Sequence, residues 1–188
     1  MRKIIEKILH YLKKYNRPVV KLLQEGLARS QIESIISSIG LEFPEDFIKL
    51  YSCFNGTQVK ENDILDDLHF FPGFYFLSLE DANKEYTILL DSGNWNKKWF
   101  PVFANGGGDY FCVDCTKGKL FPIIGYIRGY DNDDMRDYLN ISTMLETIAE
   151  CFEKEAYFLD LDNDYLDADI EKERIIGRKK NPGLKRWE

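Results

Sequence analysis

Residues 105–115 read Asn-Gly-Gly-Gly-Asp-Tyr-Phe-Cys-Val-Asp-Cys, and they bring together residue types that can do chemistry. Glycines in a row can cradle a phosphate, Cys112 and Cys115 have disulfide-exchange spacing, and Asp109 and Asp114 could join them around a metal. Each chemistry fails on a further requirement. A phosphate-binding P-loop needs Lys and Ser or Thr after its last glycine, but Asp109-Tyr110 follows Gly108. A dinucleotide fingerprint needs glycine where Phe111 stands, and it must open a helix. Here the pattern is that of a strand, and the Asp109 carboxylate would repel phosphate. A redox Cys-x-x-Cys sits at a helix N-terminus, which lowers the thiol pKa. In a strand, residues three apart point to opposite faces, so Phe111, Val113 and Cys115 share one and Tyr110, Cys112 and Asp114 the other. Zinc needs two more ligands, and the only histidines, His10 and His69, have no suggestive spacing. The reading is a glycine-rich hairpin turn with positive φ, including at Gly107, flanked by structural cysteines.

Two further acidic groups invite a ligand reading. Asp160, Asp162, Asp164 and Glu171 fall at positions 1, 3, 5 and 12 of an EF-hand loop. The sixth position, where the sharp turn demands glycine, is Tyr165, which favours a solvated acidic segment. Asp131, Asp133, Asp134 and Asp137 follow Tyr130, and they read either as an exposed loop or as a docking surface. No nucleophile-elbow or zincin motif occurs, and no carboxylate pair stands out as acid and base. The expectation is a protein without catalytic residues, cofactor or metal.

The elements that must position these residues begin with a helix. Ile4, Ile5, Ile8, Leu9, Leu12 and Tyr15 follow helical spacing as far as Pro18. A second helix is expected from Ser30, with Glu33 completing a capping box, and a third from Pro44, closed by Asn55-Gly56. Ile64 to Phe71 and Phe74 to Leu77 read as extended, divided by Pro72-Gly73. Ser78 caps a helix running toward Leu90. Strands are expected over Trp99 to Ala104, Tyr110 to Cys115 and Leu120 to Ile127, with a turn at Lys117-Gly118-Lys119 before the last. Ile141, Met144, Leu145, Ile148 and Phe152 mark a long closing helix. This order argues for an α+β fold, mainly an antiparallel sheet of about six strands. One domain is expected over residues 1–160. An acidic-then-basic C-terminal extension, 161–188, is expected to lie outside the main core.

The 188 residues, 44% of them hydrophobic, suffice for a substantial core. A net charge of −7 disfavours direct nucleic-acid binding and suits a basic protein partner. Glu6, His10, Lys13 and Lys14 break any signal-peptide apolar run, no segment reaches the length of a membrane span, and four cysteines are too few for a disulfide scaffold. The expected location is the cytoplasm.

Read together, several segments resemble the SUKH superfamily, which includes fungal regulators of cell-wall glucan synthesis and bacterial immunity proteins. They are Ile32 to Gly56, then Leu77-Ser78-Leu79-Glu80-Asp81. Next come Trp99-Phe100-Pro101-Val102-Phe103 with Gly106 to Tyr110 and Val113-Asp114, and last Gly125 and the helix around Leu145. The resemblance covers roughly residues 25 to 158. It implies a SUKH-like fold and a non-enzymatic binding role without cofactor. The leading expectation is an immunity protein neutralising a bacterial toxin, such as a nuclease; the alternative is a scaffold or regulator of cell-wall glucan synthesis. Candidate partner contacts are Trp95, Trp99, Tyr110 and Tyr130, with Asp109, Asp114, Asp131, Asp133, Asp134 and Asp137 supplying negative charge. Core packing is the competing reading for Trp99.

Overall fold

The computed structural model of the protein describes residues 1–116, 120–129 and 135–188. The turn expected at Lys117 to Lys119 lies outside them, as do Tyr130, Asp131, Asp133 and Asp134.

Helix α1 (Arg2–Lys14) buries Ile5, Ile8, Leu9 and Leu12, the stripe that its spacing sets out. A short α2 (Val19–Leu22) leads into strand β1 (Leu23–Glu25). Helix α3 (Arg29–Ser37) starts one residue ahead of the expected Ser30. Gln31 Oε1 accepts from the Ala28 N–H at 2.8 Å, whereas Glu33 pairs with Arg29 at 2.8 Å and so caps nothing. Helix α4 (Glu45–Cys53) follows Pro44 and buries Phe47, Ile48, Leu50 and Tyr51. Strand β2 (Phe54–Thr57) then pairs antiparallel with β1. The stretch Ile64 to Phe71, expected to be extended, contains a helical turn instead, α5 (Leu65–Leu68). Four acidic or apolar residues without β-branching, Leu-Asp-Asp-Leu, carry little strand preference, and Asp66 and Asp67 favour a helix N-terminus.

The main sheet has five strands, one fewer than expected, all antiparallel among the described residues. Its order is β3 (Tyr75–Phe76), β4 (Trp99–Ala104), β5 (Tyr110–Asp114), β6 (Ile123–Tyr126) and β7 (Arg136–Tyr138). Helix α6 (Leu79–Asp91) packs beside β4, and α7 (Ile141–Glu153) packs against α1. Aromatic rings from separate elements fill the space between: Phe47 and Tyr86 close on Phe100, and Phe71 and Phe76 on Phe103.

The stretch beyond residue 160 does not lie outside the core. Strands β8 (Tyr157–Asp160) and β9 (Tyr165–Ala168) form a hairpin, followed by α8 (Ile170–Lys180) and a 3₁₀ turn at Lys185–Trp187. Leu166, Ile176, Leu184 and Trp187 join the same buried cluster as the sheet. Charge composition concealed this, because the buried positions are few and Glu173 is among them. Its carboxylate is buried where the Tyr157 hydroxyl donates to it at 2.6 Å.

Candidate partner-binding surface

The glycine run is the turn between β4 and β5, and Asn105 organises it. Its Oδ1 accepts from the Gly107 N–H at 2.7 Å and from the Asp109 N–H at 3.0 Å, while its Nδ2 donates to Asp109 Oδ2 at 2.7 Å. Gly106 and Gly108 take positive φ, +76° and +103°. Gly107 does not, which corrects the expectation for that residue. Asp109 Oδ1 also accepts from the Arg128 N–H at 2.8 Å, tying the turn to the end of β6.

Cys112 and Cys115 are both buried free thiols. Burial is the main cause of a Cys115 pKa pushed up to about 12 and of an upward shift at Cys112. Neither has the thiolate character that redox or metal chemistry uses. Asp160, Asp162 and Asp164 sit on the tip of the β8–β9 hairpin, not around an EF-hand loop. There, Asp160 Oδ1 accepts from the Asp162 N–H at 2.9 Å, and Asp164 Oδ1 from Arg17 Nη1 at 3.0 Å. Among the described residues, no cluster of His, Cys, Asp and Glu could hold a metal ion.

Of the expected aromatics, Trp95, Trp99 and Tyr110 come together, while Tyr130 lies outside the described residues. Trp95, just beyond α6, stacks edge-on against Trp99, Tyr110 and Tyr126, with ring centroids 6.1, 6.0 and 4.8 Å away. Its Nε1 donates to the Trp99 carbonyl at 2.8 Å. Trp95 and Tyr110 are buried, whereas Trp99 and Tyr126 are half-buried, so the outer part of the cluster is formed by the latter pair. Tyr110 Oη donates to Glu85 Oε2 at 2.9 Å, and burial together with that bond raises its pKa. Of the acidic candidates, only Asp109, Asp114 and Asp137 lie within the described residues, and each has its own set of contacts. Asp114 is buried and accepts from the Thr116 N–H at 2.9 Å. Asp137, on β7, is half-buried; its carbonyl accepts from Trp187 Nε1 at 2.5 Å, and its carboxylate lies 3.7 Å from Arg186 Nε.

Residues that were not singled out in the sequence form an acid-lined groove of about 510 Å³ beside this cluster. One wall is the loop after β2, with Glu61 and Asp63; the other is the first half of α6, with Asp81 and Glu85. Leu68, Tyr75 and Leu77 line it as well. Asp63 Oδ2 accepts from the Lys60 N–H at 2.8 Å, and Asp81 Oδ2 from Ser78 Oγ at 2.6 Å. These donors, like Tyr110, are neutral. Among the described residues none of the four carboxylates forms an ion pair, although Lys60 and Lys84 also line the groove. The field is felt at Tyr75, whose pKa is raised by burial and then by Glu85 and Asp81. Leu65 lies in the rim, and a Cβ on Gly106 would sit 3.0 Å from Leu65 Cδ2, so the glycine turn abuts the groove. No sequence motif marks this place, because its walls come from three separated segments.

A larger cleft, about 560 Å³, runs between the end of α1 and the β8–β9 hairpin, but Lys14, Lys172 and Glu155 give it mixed charge. No helix among the described residues is long and apolar enough to cross a membrane. Compared with known proteins, residues 26–154 match the family model described as the SMI1 / KNR4 family (SUKH-1). No curated relative matches the chain significantly.

Proposed function

The chain belongs to the SMI1/KNR4 family (SUKH-1), and on that premise we propose that it is a non-catalytic protein-binding domain serving as an immunity protein in the cytoplasm. It binds a basic bacterial toxin, such as a nuclease, and blocks the cationic cleft with its own carboxylates. The observation that carries this reading is the groove in which four carboxylates, none of them in an ion pair among the described residues, outnumber the two lysines, Lys60 and Lys84, that line it with them. Uncompensated charge on a folded surface costs self-repulsion, and an incoming cationic surface removes that cost while accelerating encounter. The state of the titratable groups supports a binding role over catalysis. Burial raises the pKa of Cys112 and Cys115, so neither buried thiol is poised as a nucleophile near neutral pH.

Co-expression with each toxin encoded beside the gene tests the role. Protection by at least one is expected; failure to protect against any would end the immunity reading. The alternative, a regulator or scaffold in cell-wall glucan synthesis, predicts an isolated gene and wall defects on its deletion.

A further inference from the structure

The groove has an apolar rim as well as charge. Val59 and Leu65, which line it, are 44% and 45% exposed, two of the large aliphatic side chains that the fold leaves in solvent, and they flank Glu61 and Asp63 in sequence. Carboxylates alone would attract any cation and would select none. Exposed aliphatics beside them add a requirement for a matching apolar side chain, because only a partner that covers them gains the hydrophobic term. Tyr75, half-buried on β3, also lines the groove and offers a ring on which such a side chain can pack. Asp81 and Glu85 stand four residues apart on α6, so they are neighbours on one face of the helix. They project from a rigid element, which holds their charges at a constant separation.

We propose that this groove is the docking site for a short segment of the partner protein in which lysine or arginine side chains alternate with aliphatic ones. The cationic side chains meet Asp81 and Glu85 on one wall and Glu61 and Asp63 on the other. The aliphatic side chains cover Val59 and Leu65. This deepens the binding role proposed above and rests on it. It also gives the glycine turn a second use, since any side chain at Gly106 would push Leu65 and reshape the rim.

The test uses three short fluorescent peptides: lysine alternating with leucine, lysine alternating with serine, and glutamate alternating with leucine. Their anisotropy is followed on the full chain at low and high salt. The lysine–leucine peptide should bind, the lysine–serine peptide should bind more weakly, and the glutamate–leucine peptide should not bind. Neutralising the groove with Glu61→Gln, Asp63→Asn, Asp81→Asn and Glu85→Gln should weaken the lysine–leucine peptide by about tenfold or more and flatten its salt dependence. Val59→Ser with Leu65→Ser should weaken it while leaving the salt slope intact. Neutralising the exposed Asp162, Glu171 and Glu188, away from the groove, should do neither. Equal binding by groove and control variants, or equal binding of all three peptides, would overturn the proposal. Toxin protection separates it from the broader role. Groove variants that fold and still protect fully would overturn the docking site and leave immunity standing. Groove-dependent peptide binding without protection by the wild-type chain would do the reverse.

Discussion

Asn105 and the glycines after it show how far residue identity alone can be read. That three glycines made a turn was legible; which of them needed to be glycine was not. The Asn105 carboxamide decides it by fixing the N–H groups of Gly107 and Asp109, which leaves Gly106 and Gly108 in the left-handed region. Gly108→Val should therefore cost about 1–2 kcal/mol or more, the penalty of that region for a residue with a Cβ, worsened by Arg128 Cδ at 3.0 Å from the new atom. Gly107→Ala should cost little, since its Cβ would meet the Asn105 side chain at 3.4 Å. Urea midpoints of the two variants check the contrast. His69 illustrates a residue whose character only the fold reveals. It is buried with Nδ1 unsatisfied, 3.4 Å from Asp66 Oδ1, and Arg17 adds a repelling charge. Burial is the largest effect, so its folded pKa lies below the ordinary value near 6.5. The unfolded chain then binds the proton more readily. The contribution of His69 is complete above about pH 6.5 and is lost as pH falls toward the lower folded pKa. Urea midpoints at pH 7.5 and pH 5.5 should drop on acidification, and His69→Asn should shrink the difference.

At the scale of elements, periodicity and caps made α1, α4, α6, α7, β4 and β5 legible, each within about two residues of its bounds. What escaped was assembled by distant partners. Asn55 was expected only to close α4, yet its side chain starts α6. Oδ1 accepts from the Leu79 N–H at 2.9 Å and Nδ2 donates to Glu80 Oε2 at 2.9 Å. Ser78, legible as a cap, accepts from the Asp81 N–H at 3.0 Å. Together they fix the end of the helix that carries Asp81 and Glu85. Ser78→Ala should destabilise by about 1 kcal/mol, the usual worth of such a cap. Asn55→Ala should cost more, about 1–3 kcal/mol, because it strands a buried N–H at Leu79. Thermal melts rank the two. If the groove docks a partner as proposed, both should also weaken it beyond the loss in folded fraction, since the acidic wall would lose its fixed aim. Helix α8 was illegible for another reason: its charged sequence has only Ile176 and Gly177 turned inward beside Glu173.

Across the whole molecule, the segments flanking the family-matched stretch close on each other. The Arg17 guanidinium, from the first of them, is buried and reaches both the second and the matched stretch. Its Nη1 donates to the Asp164 carbonyl at 2.9 Å and its Nη2 to the Asp66 carbonyl at 3.1 Å. Trp187 packs 5.4 Å from the Tyr138 ring, and a Cβ at Gly177 would lie 2.2 Å from its indole. Trp187→Ala should cost about 3–5 kcal/mol, read as a fall in the urea midpoint, because it opens a cavity and removes the hydrogen bond from Nε1 to the Asp137 carbonyl. Residues 26–154 expressed alone should be poorly folded by the same reasoning, as judged by amide exchange, since α1, Tyr157 and Trp187 would all be missing. The pairing of α1 with α7 also has a consequence in time. Lys7 bonds Glu153 across 146 positions of sequence, so the ribosome makes the first helix long before the surface that covers it. At ordinary synthesis rates that interval is roughly seven to thirty seconds. Throughout it, Ile5, Ile8, Leu9 and Leu12 form an apolar stripe with nowhere to go, open to chaperones and to neighbouring nascent chains.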